Sequence, residues 1–286
     1  MELKDFVSHF KLQNMPFTNR IGTEYLYSSD NILGIQNKLQ LAVQDNSFAV
    51  LSGEPGTGKS TILRKFTSEL NPEKFLVLYV SMSNATPRWL YSVPLEMLGI
   101  KAHTYVNDAR RQFHKELDIQ RETYHKKVIM VVDEAHLFTM SYKKFDLLEE
   151  IRFLLNGARY DSGSPLTLIL SGQSEIWNIL KTERCKAITQ RIMYVCKTDN
   201  LSKEQVGPYI ASHLRWAGSS DPLFSSEAVD LISDLSSGIP RLINKICIHS
   251  LNYAALKNQS VVTPELAAQA ANNEVIDIIL KGAVHD

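Results

Sequence analysis

The chain has little of what marks the specialised protein classes. Its three cysteines, Cys185, Cys196 and Cys247, are odd in number and far apart, which fits neither a disulfide framework nor a zinc site. They are expected to be reduced, buried thiols. There is no excess charge, since 31 Lys and Arg balance 31 Asp and Glu. Attraction to nucleic acid or to an acidic membrane therefore has to come from a local patch. Its apolar runs, such as those within 127–132 and 166–170, are strand-sized and far short of the ~20 residues that span a bilayer. The opening MELKDFVSHF has no apolar core followed by small residues, so it does not read as a secretory signal. The expected location is the cytosol, with no membrane partner. Internal repeats and low-complexity linkers are absent as well.

What remains is ordinary globular composition, 44% hydrophobic and 22% charged, which excludes disordered, collagen-like and coiled-coil chains. A length of 286 residues suggests roughly two domains. Short apolar stretches, FAVLSG (48–53), FLVLYVSM (75–82), VIMVVDE (128–134), LTLILSG (166–172) and IMYVCKT (192–198), alternate with amphipathic segments. That pattern predicts an α/β fold, a doubly wound parallel sheet covered by helices on both faces. After Asn200 the strand signal stops and four helices are predicted, over 202–216, 225–236, 240–256 and 263–280. Ser202 ahead of Glu204 and Gln205, Ser225 ahead of Glu227, and Thr263-Pro264-Glu265 are their start signals. The expected division is residues 1–200 for the α/β domain, with an N-terminal segment 1–46 and a helical insertion near 83–127, and 201–286 for a small all-helical lid.

The sharpest motif is Gly53-Glu54-Pro55-Gly56-Thr57-Gly58-Lys59-Ser60, which follows an apolar strand and precedes the helix-compatible segment opened by Thr61. Its glycines let successive backbone N–H groups curl around phosphate, and the helix N-terminus adds its positive end. Lys59 is expected on the β and γ phosphates of a nucleotide, and the Ser60 hydroxyl on Mg2+. The strand 128–132 delivers two carboxylates to its C-terminal end. There Asp133 is expected to hold the magnesium through water, and Glu134 to polarise the attacking water. Next to this strand, Ser171 or Gln173 ends LTLILSGQ and is placed to touch the γ-phosphate or the lytic water, with Gln173 preferred.

Two arginines complete the expected chemistry. Arg241, in Gly238-Ile239-Pro240-Arg241 at a helix start, suits a lid arginine that swings onto the phosphate. Arg191 sits at a helix-to-strand corner, where a guanidinium can stabilise charge across a subunit boundary; Arg184 is the other candidate. His103, His114, His125 and His136 recur every eleven residues, but the intervening strand prevents one helix from aligning them, and no zinc site is expected.

With these residues in place, the chain resembles the AAA+ ATPases of the ExeA family, and through them the transposition helper ATPases MuB, TnsC and TniB. Phe10, Met15-Pro16-Phe17 and Tyr27-Ser28 match the family's opening segment, which implies that Phe17 lies near the adenine. Asp133-Glu134-Ala135-His136, Leu148-Glu149-Glu150-Ile151-Arg152 with Asn156, Gly172-Gln173 and Gln190-Arg191-Ile192 follow the family order. So do Tyr209-Ile210, Ala217-Gly218, Phe224 and Gly238 through Asn244 in the lid, which implies that Pro240 and Arg241 meet the nucleotide. His213 departs from the family, which often has an arginine nearby. The resemblance implies an AAA+ fold and a Mg2+-dependent ATPase that self-assembles into a ring or helical filament. Secretion-type members continue into a membrane helix and a peptidoglycan-binding domain. Ending at Asp286, this chain is expected to be a free-standing helper.

Two functions stay open at this point. One is a regulator of DNA transposition that assembles on duplex DNA without sequence preference and recruits or activates a DDE-type transposase, with a target-selection protein as a further partner. The other is a protein-assembly or secretion-related ATPase that does not touch DNA. From Lys101 to Lys127 there are seven Lys or Arg against four acids, and Arg88, Lys101, Arg110 and Arg111 are the residues expected to face a DNA backbone.

Overall fold

A computed structural model of the protein describes residues 5–81, 86–140, 144–156 and 164–276. In chain order its elements are α1 (Phe6–His9), α2 (Asp30–Gln44), β1 (Phe48–Ser52), α3 (Lys59–Ser68), β2 (Phe75–Ser81), α4 (Trp89–Met97), α5 (Val106–Glu122), β3 (Lys127–Asp133), α6 (Lys144–Leu154), β4 (Thr167–Gly172), α7 (Ile176–Leu180), α8 (Lys186–Thr189), β5 (Ile192–Lys197), α9 (Lys203–Trp216), α10 (Ser226–Ser236), α11 (Pro240–Leu256) and α12 (Pro264–Ala270). A 3-10 turn occupies Ala135–Met140. All five predicted strands are present. The last residue of the stretch 75–82, the first three of the insertion (83–85) and the part of the last predicted helix beyond 276 lie outside the described residues. No helix among the described residues is long and apolar enough to cross a membrane.

The chain forms two compact units, one of Asp30–Pro55 with Ile62–Thr198, the other of Met1–Ser29 with Gly56–Thr61 and Asp199–Asp286. The first is built on a five-stranded sheet in the order β2-β3-β4-β1-β5, with every neighbouring pair parallel. Runs of aliphatic residues without polar alternation require cover on both faces, and β3 has it. Val128, Met130 and Val132 enter one core with Leu90, Phe113 and Leu147 from α4, α5 and α6. Ile129 and Val131 enter the other with Leu39 of α2 and Leu63 and Phe66 of α3. From β1 the chain goes to β2 at one edge, returns through β3 and β4, and places β5 on the far side of β1. The connections thus diverge at the carboxyl end of β1, where sheets of this kind bind ligands. β5 pairs with β1 alone, and side chains of α2 reach its carbonyls: Lys38 Nζ donates to Val195 O at 3.1 Å and Asn31 Nδ2 to Lys197 O at 3.3 Å.

The second unit is helical, and its starts follow the sequence signals. Ser202 and Gln205 close a capping box at α9, Ser225 accepts from Ala228 N at α10, and Pro240 and Pro264 open α11 and α12. Its core contains Ile210, Ile232, Ile246 and Leu251, together with Phe6, Leu12 and Phe17. Residues 1–29 thus group with the helices, where the sequence expectation joined them to the sheet. Burial of these three side chains is the physical reason, reinforced by Gln13 N donating to Ala217 O at 2.7 Å. All three cysteines are buried and free; burial pushes the Cys196 thiol up to about 11 and also raises that of Cys247.

Candidate functional site

The motif loop leaves β1 anchored to α7 and to the connection that precedes it. Ser52 Oγ accepts from Trp177 Nε1 at 3.0 Å, and Ser174 Oγ donates to Glu54 Oε1 at 2.9 Å. Gly56 and Gly58 have φ of 86° and 93°, values at which a side chain is strained. A Cβ on Gly58 would meet nothing within 4 Å, while one on Gly56 would stand 2.9 Å from the Arg241 Cβ. Open space beside Gly58 and backbone turned by two positive φ values suit a phosphate cradle. Lys59, Ser60 and Thr61 form the first turn of α3, where backbone N–H groups lack helical partners. Arg241, second residue of α11, is exposed and donates its N–H to Gly56 O at 3.3 Å. Pro240 precedes it as the first residue of the helix.

At the end of β3, Asp133 is 6% exposed and held from three sides. Tyr79 Oη donates to Oδ2 at 2.5 Å, Ser171 Oγ to Oδ1 at 2.8 Å, and Glu134 N to Oδ1 at 2.9 Å. A buried carboxylate fixed at the carboxyl end of a parallel strand is a hard oxygen donor of the kind Mg2+ takes. Glu134 adopts φ 57°, a left-handed backbone that costs an ordinary residue about 1 kcal/mol. The turn sends Ala135 and His136 across the end of β4, where a Cβ on Gly172 would approach His136 N to 2.7 Å. His136 Nδ1 then stands 3.4 Å from Glu134 Oε2, and its Nε2 is 3.0 Å from Gln173 Nε2. The two candidates at the end of β4 therefore divide the work: Ser171 holds Asp133, and Gln173 faces His136.

Other expected residues are placed less uniformly. Arg191 is exposed just before β5 and donates to Arg152 O at 3.3 Å. Because the sheet is parallel, that is the end opposite to Asp133. Arg184 is exposed in a 3-10 turn, Glu183–Cys185. Phe17 is 3% exposed and its ring stacks on His213 at 5.1 Å, inside the helical core rather than open to an adenine. His213 is held down to about 4 by burial.

The four DNA candidates also separate. The Arg88 guanidinium is committed to the carbonyls of His103 and Ala102 at 2.8 and 3.3 Å. Arg110 pairs with the buried Glu150 at 2.9 Å, which also accepts from Tyr91 Oη at 2.7 Å, and it stacks over Phe153 at 4.2 Å. Both serve the fold, because carbonyls and a carboxylate from other elements take their donors. Arg111 is 80% exposed beside Asp108, and Lys101 is exposed. Arg110, Arg111, His114, Lys115, Asp118 and Asn156 line a cleft of about 290 Å³ on α5.

Sequence reasoning missed Tyr79 and gave His136 no role of its own. For Tyr79 nothing local signals its part, since its partner lies on another strand. For His136 the available signal was its position three residues after Asp133 at a strand end.

Residues 42–180 match the family model described as "AAA domain". The chain is 30% identical over 254 residues to General secretion pathway protein A of Aeromonas hydrophila, a match covering 86% of this chain and 44% of that protein. It thus spans less than half the length of that relative. The ORC2 protein of Aeropyrum pernix, in ADPNP-ADP complexes, aligns with a TM-score of 0.67 at 14% identity over 94% of this chain and 72% of that one. Drosophila ORC bound to DNA aligns with a TM-score of 0.62 at 17% identity, over 100% and 69%. At these identities the solved structures establish the fold.

Proposed function

We propose, on the premise that this chain carries an AAA domain, that it is a Mg2+-dependent ATPase that assembles on duplex DNA and regulates transposition. The observation that carries the enzymatic part is the end of β3, where Asp133 is fixed by Tyr79 and Ser171 and Glu134 follows directly. In this reading Gly53 to Thr61 wrap the phosphates, with Lys59 on the β and γ groups. Ser60 and Asp133 hold Mg2+, which when bound neutralises charge on the phosphate oxygens. Glu134 takes the proton of the attacking water, Arg241 contributes positive charge from α11, and Arg191 contributes it to a neighbouring copy. The test is Glu134→Gln: it should bind an ATP analogue as wild type does while hydrolysis falls by about two to four orders of magnitude. Hydrolysis at the wild-type rate would remove Glu134 as the base.

Self-assembly is supported by Arg191 lying at the end of the sheet opposite to Asp133, where it suits the site of another subunit. A head-to-tail contact of that kind is heterologous and repeats into a ring or filament. DNA contact is supported by the basic cleft on α5, which repetition would line up along one surface. Phosphate contacts there would be salt-dependent and indifferent to sequence. The transposase and target-selection partners rest on the motif order in Asp133–His136, Gln190–Ile192 and Gly238–Asn244.

A second reading, a protein-assembly or secretion-related ATPase without DNA binding, is favoured by the 30% identity to General secretion pathway protein A. Duplex binding at several salt concentrations, with ATP analogue, ADP or no nucleotide, separates the two. Arg111→Ala with Lys115→Ala should weaken binding and flatten its salt dependence. No binding in any nucleotide state would select the second reading.

A further inference from the structure

We infer that His136 is a positioning residue that ties the Glu134 carboxylate to the Gln173 amide, so that the catalytic base takes its orientation from the end of the neighbouring strand. This rests on Glu134 being the base. The imidazole is buried, with 6% of the residue exposed, and its two nitrogens face two different groups. Nε2 lies 3.0 Å from Gln173 Nε2 and Nδ1 lies 3.4 Å from Glu134 Oε2.

Donor and acceptor chemistry then fixes the proton. An amide nitrogen only donates, so His136 Nε2 must offer its lone pair to Gln173. A neutral imidazole carries one N–H, which is then left on Nδ1; that nitrogen is buried without a hydrogen bond of its own, and Glu134 Oε2 at 3.4 Å is the acceptor beside it. In the other tautomer an N–H would face the amide NH2 and a lone pair would face the carboxylate, so the Gln173 contact would be lost and Glu134 would be offered no donor. Gln173 thus selects the tautomer that offers Glu134 a donor.

The backbone brings these groups together by design of the strand ends. β3 and β4 are parallel neighbours, with Val132 opposite Leu170, so Glu134 and Gln173 leave adjacent strand ends. The left-handed turn at Glu134 and the missing side chain at Gly172 let His136 sit between them. Glu134 itself is 46% exposed at the side chain, and without a buried donor beside Oε2 its carboxylate would sample several rotamers. Holding one oxygen leaves the other for the water proton. Any ligand that draws the Gln173 amide away loosens the base as a consequence.

The experiment uses the full chain and compares wild type with His136→Ala, His136→Gln and Gln173→Met. A glutamine at 136 can accept from Gln173 through Oε1 and donate to Glu134 through Nε2, whereas alanine does neither. His136→Ala should lower kcat about 10- to 100-fold, with KM for ATP and binding of a non-hydrolysable analogue within about twofold. His136→Gln should recover most of that loss. Gln173→Met should lower kcat, and adding it to His136→Ala should cost less than the product of the single losses, because both break one relay. The relay is overturned if His136→Ala keeps the wild-type kcat, if alanine and glutamine are equally impaired, or if kcat and analogue binding fall together. Should His136→Ala fail to fold, full activity of Gln173→Met overturns it as well. Glu134→Gln run alongside separates the two levels: if it hydrolyses normally, the base assignment itself fails; if it is inactive while His136→Ala is normal, only the relay fails.

Discussion

Tyr79 on β2 donates its phenolic hydrogen to Oδ2 of Asp133 on the neighbouring β3 at 2.5 Å. Tyr79 stands opposite Val131 in the strand register, and Asp133 lies opposite Ser81, so the hydroxyl reaches diagonally along the sheet. In the proposed role of Asp133 as a magnesium ligand, losing a group that orients the carboxylate weakens metal binding about 10- to 100-fold. Tyr79→Phe should therefore raise the Mg2+ concentration for half-maximal ATP hydrolysis about tenfold, with little change in binding of Mg2+-free nucleotide. A titration of rate against Mg2+ that superposes on wild type would show that Tyr79 does not orient Asp133.

Arg191 stands at the opposite end of the parallel strands from Asp133 and is expected to act on another subunit. Arg191→Ala and Lys59→Ala should each abolish most hydrolysis, and mixing them should restore part of it at interfaces that pair an intact loop with an intact arginine. No recovery at any ratio, in mixtures shown to co-assemble, would argue against a shared site.

Arg110 should behave as a stability residue. Its removal leaves Glu150 buried beside Tyr91 without a cation, and an unpaired buried charge costs about 3 kcal/mol. Arg110→Ala should lower the urea midpoint accordingly, while Arg110→Met combined with Glu150→Gln should recover most of it. A midpoint unchanged in Arg110→Ala would mean that the pair contributes nothing.

His213 makes the helical unit sensitive to acid. Burial lowers it from 6.5 to about 4 in the folded chain. Below 6.5 the unfolded chain takes up a proton that the folded one does not, so stability present above 6.5 is lost as pH falls toward 4. The loss has a ceiling of about 3 kcal/mol. His213→Phe, which keeps a ring against Phe17, should show a flatter decline of urea midpoint between pH 6.5 and 4. An identical pH slope in the two proteins would assign the acid sensitivity elsewhere.

The features legible in the sequence are those encoded by contiguous residues. The five strands follow from uninterrupted apolar runs, the helix starts from Ser202, Ser225 and the prolines, and the loop and carboxylates from Gly53–Ser60 and Asp133-Glu134. What was not legible depends on which elements become neighbours. Tyr79 and Ser171 meet Asp133 because β2 and β4 flank β3. Arg88 and Arg110 look like free surface cations until the His103 carbonyl and Glu150 arrive from other segments. Phe17, read as an adenine contact, is claimed by His213 and Phe224 through packing within the helical core.

The cover that α2 gives to β5 has a bearing on how safely the chain can be handled in quantity. β5 is an outer strand with Met193 and Val195 at 66% and 48% exposure, and such a strand is a template for addition of strands from other molecules. Lys38 and Asn31 occupy the carbonyls of Val195 and Lys197 that an incoming strand would use. Truncation into α2, or loss of both side chains, would leave that edge open to strand addition from other molecules.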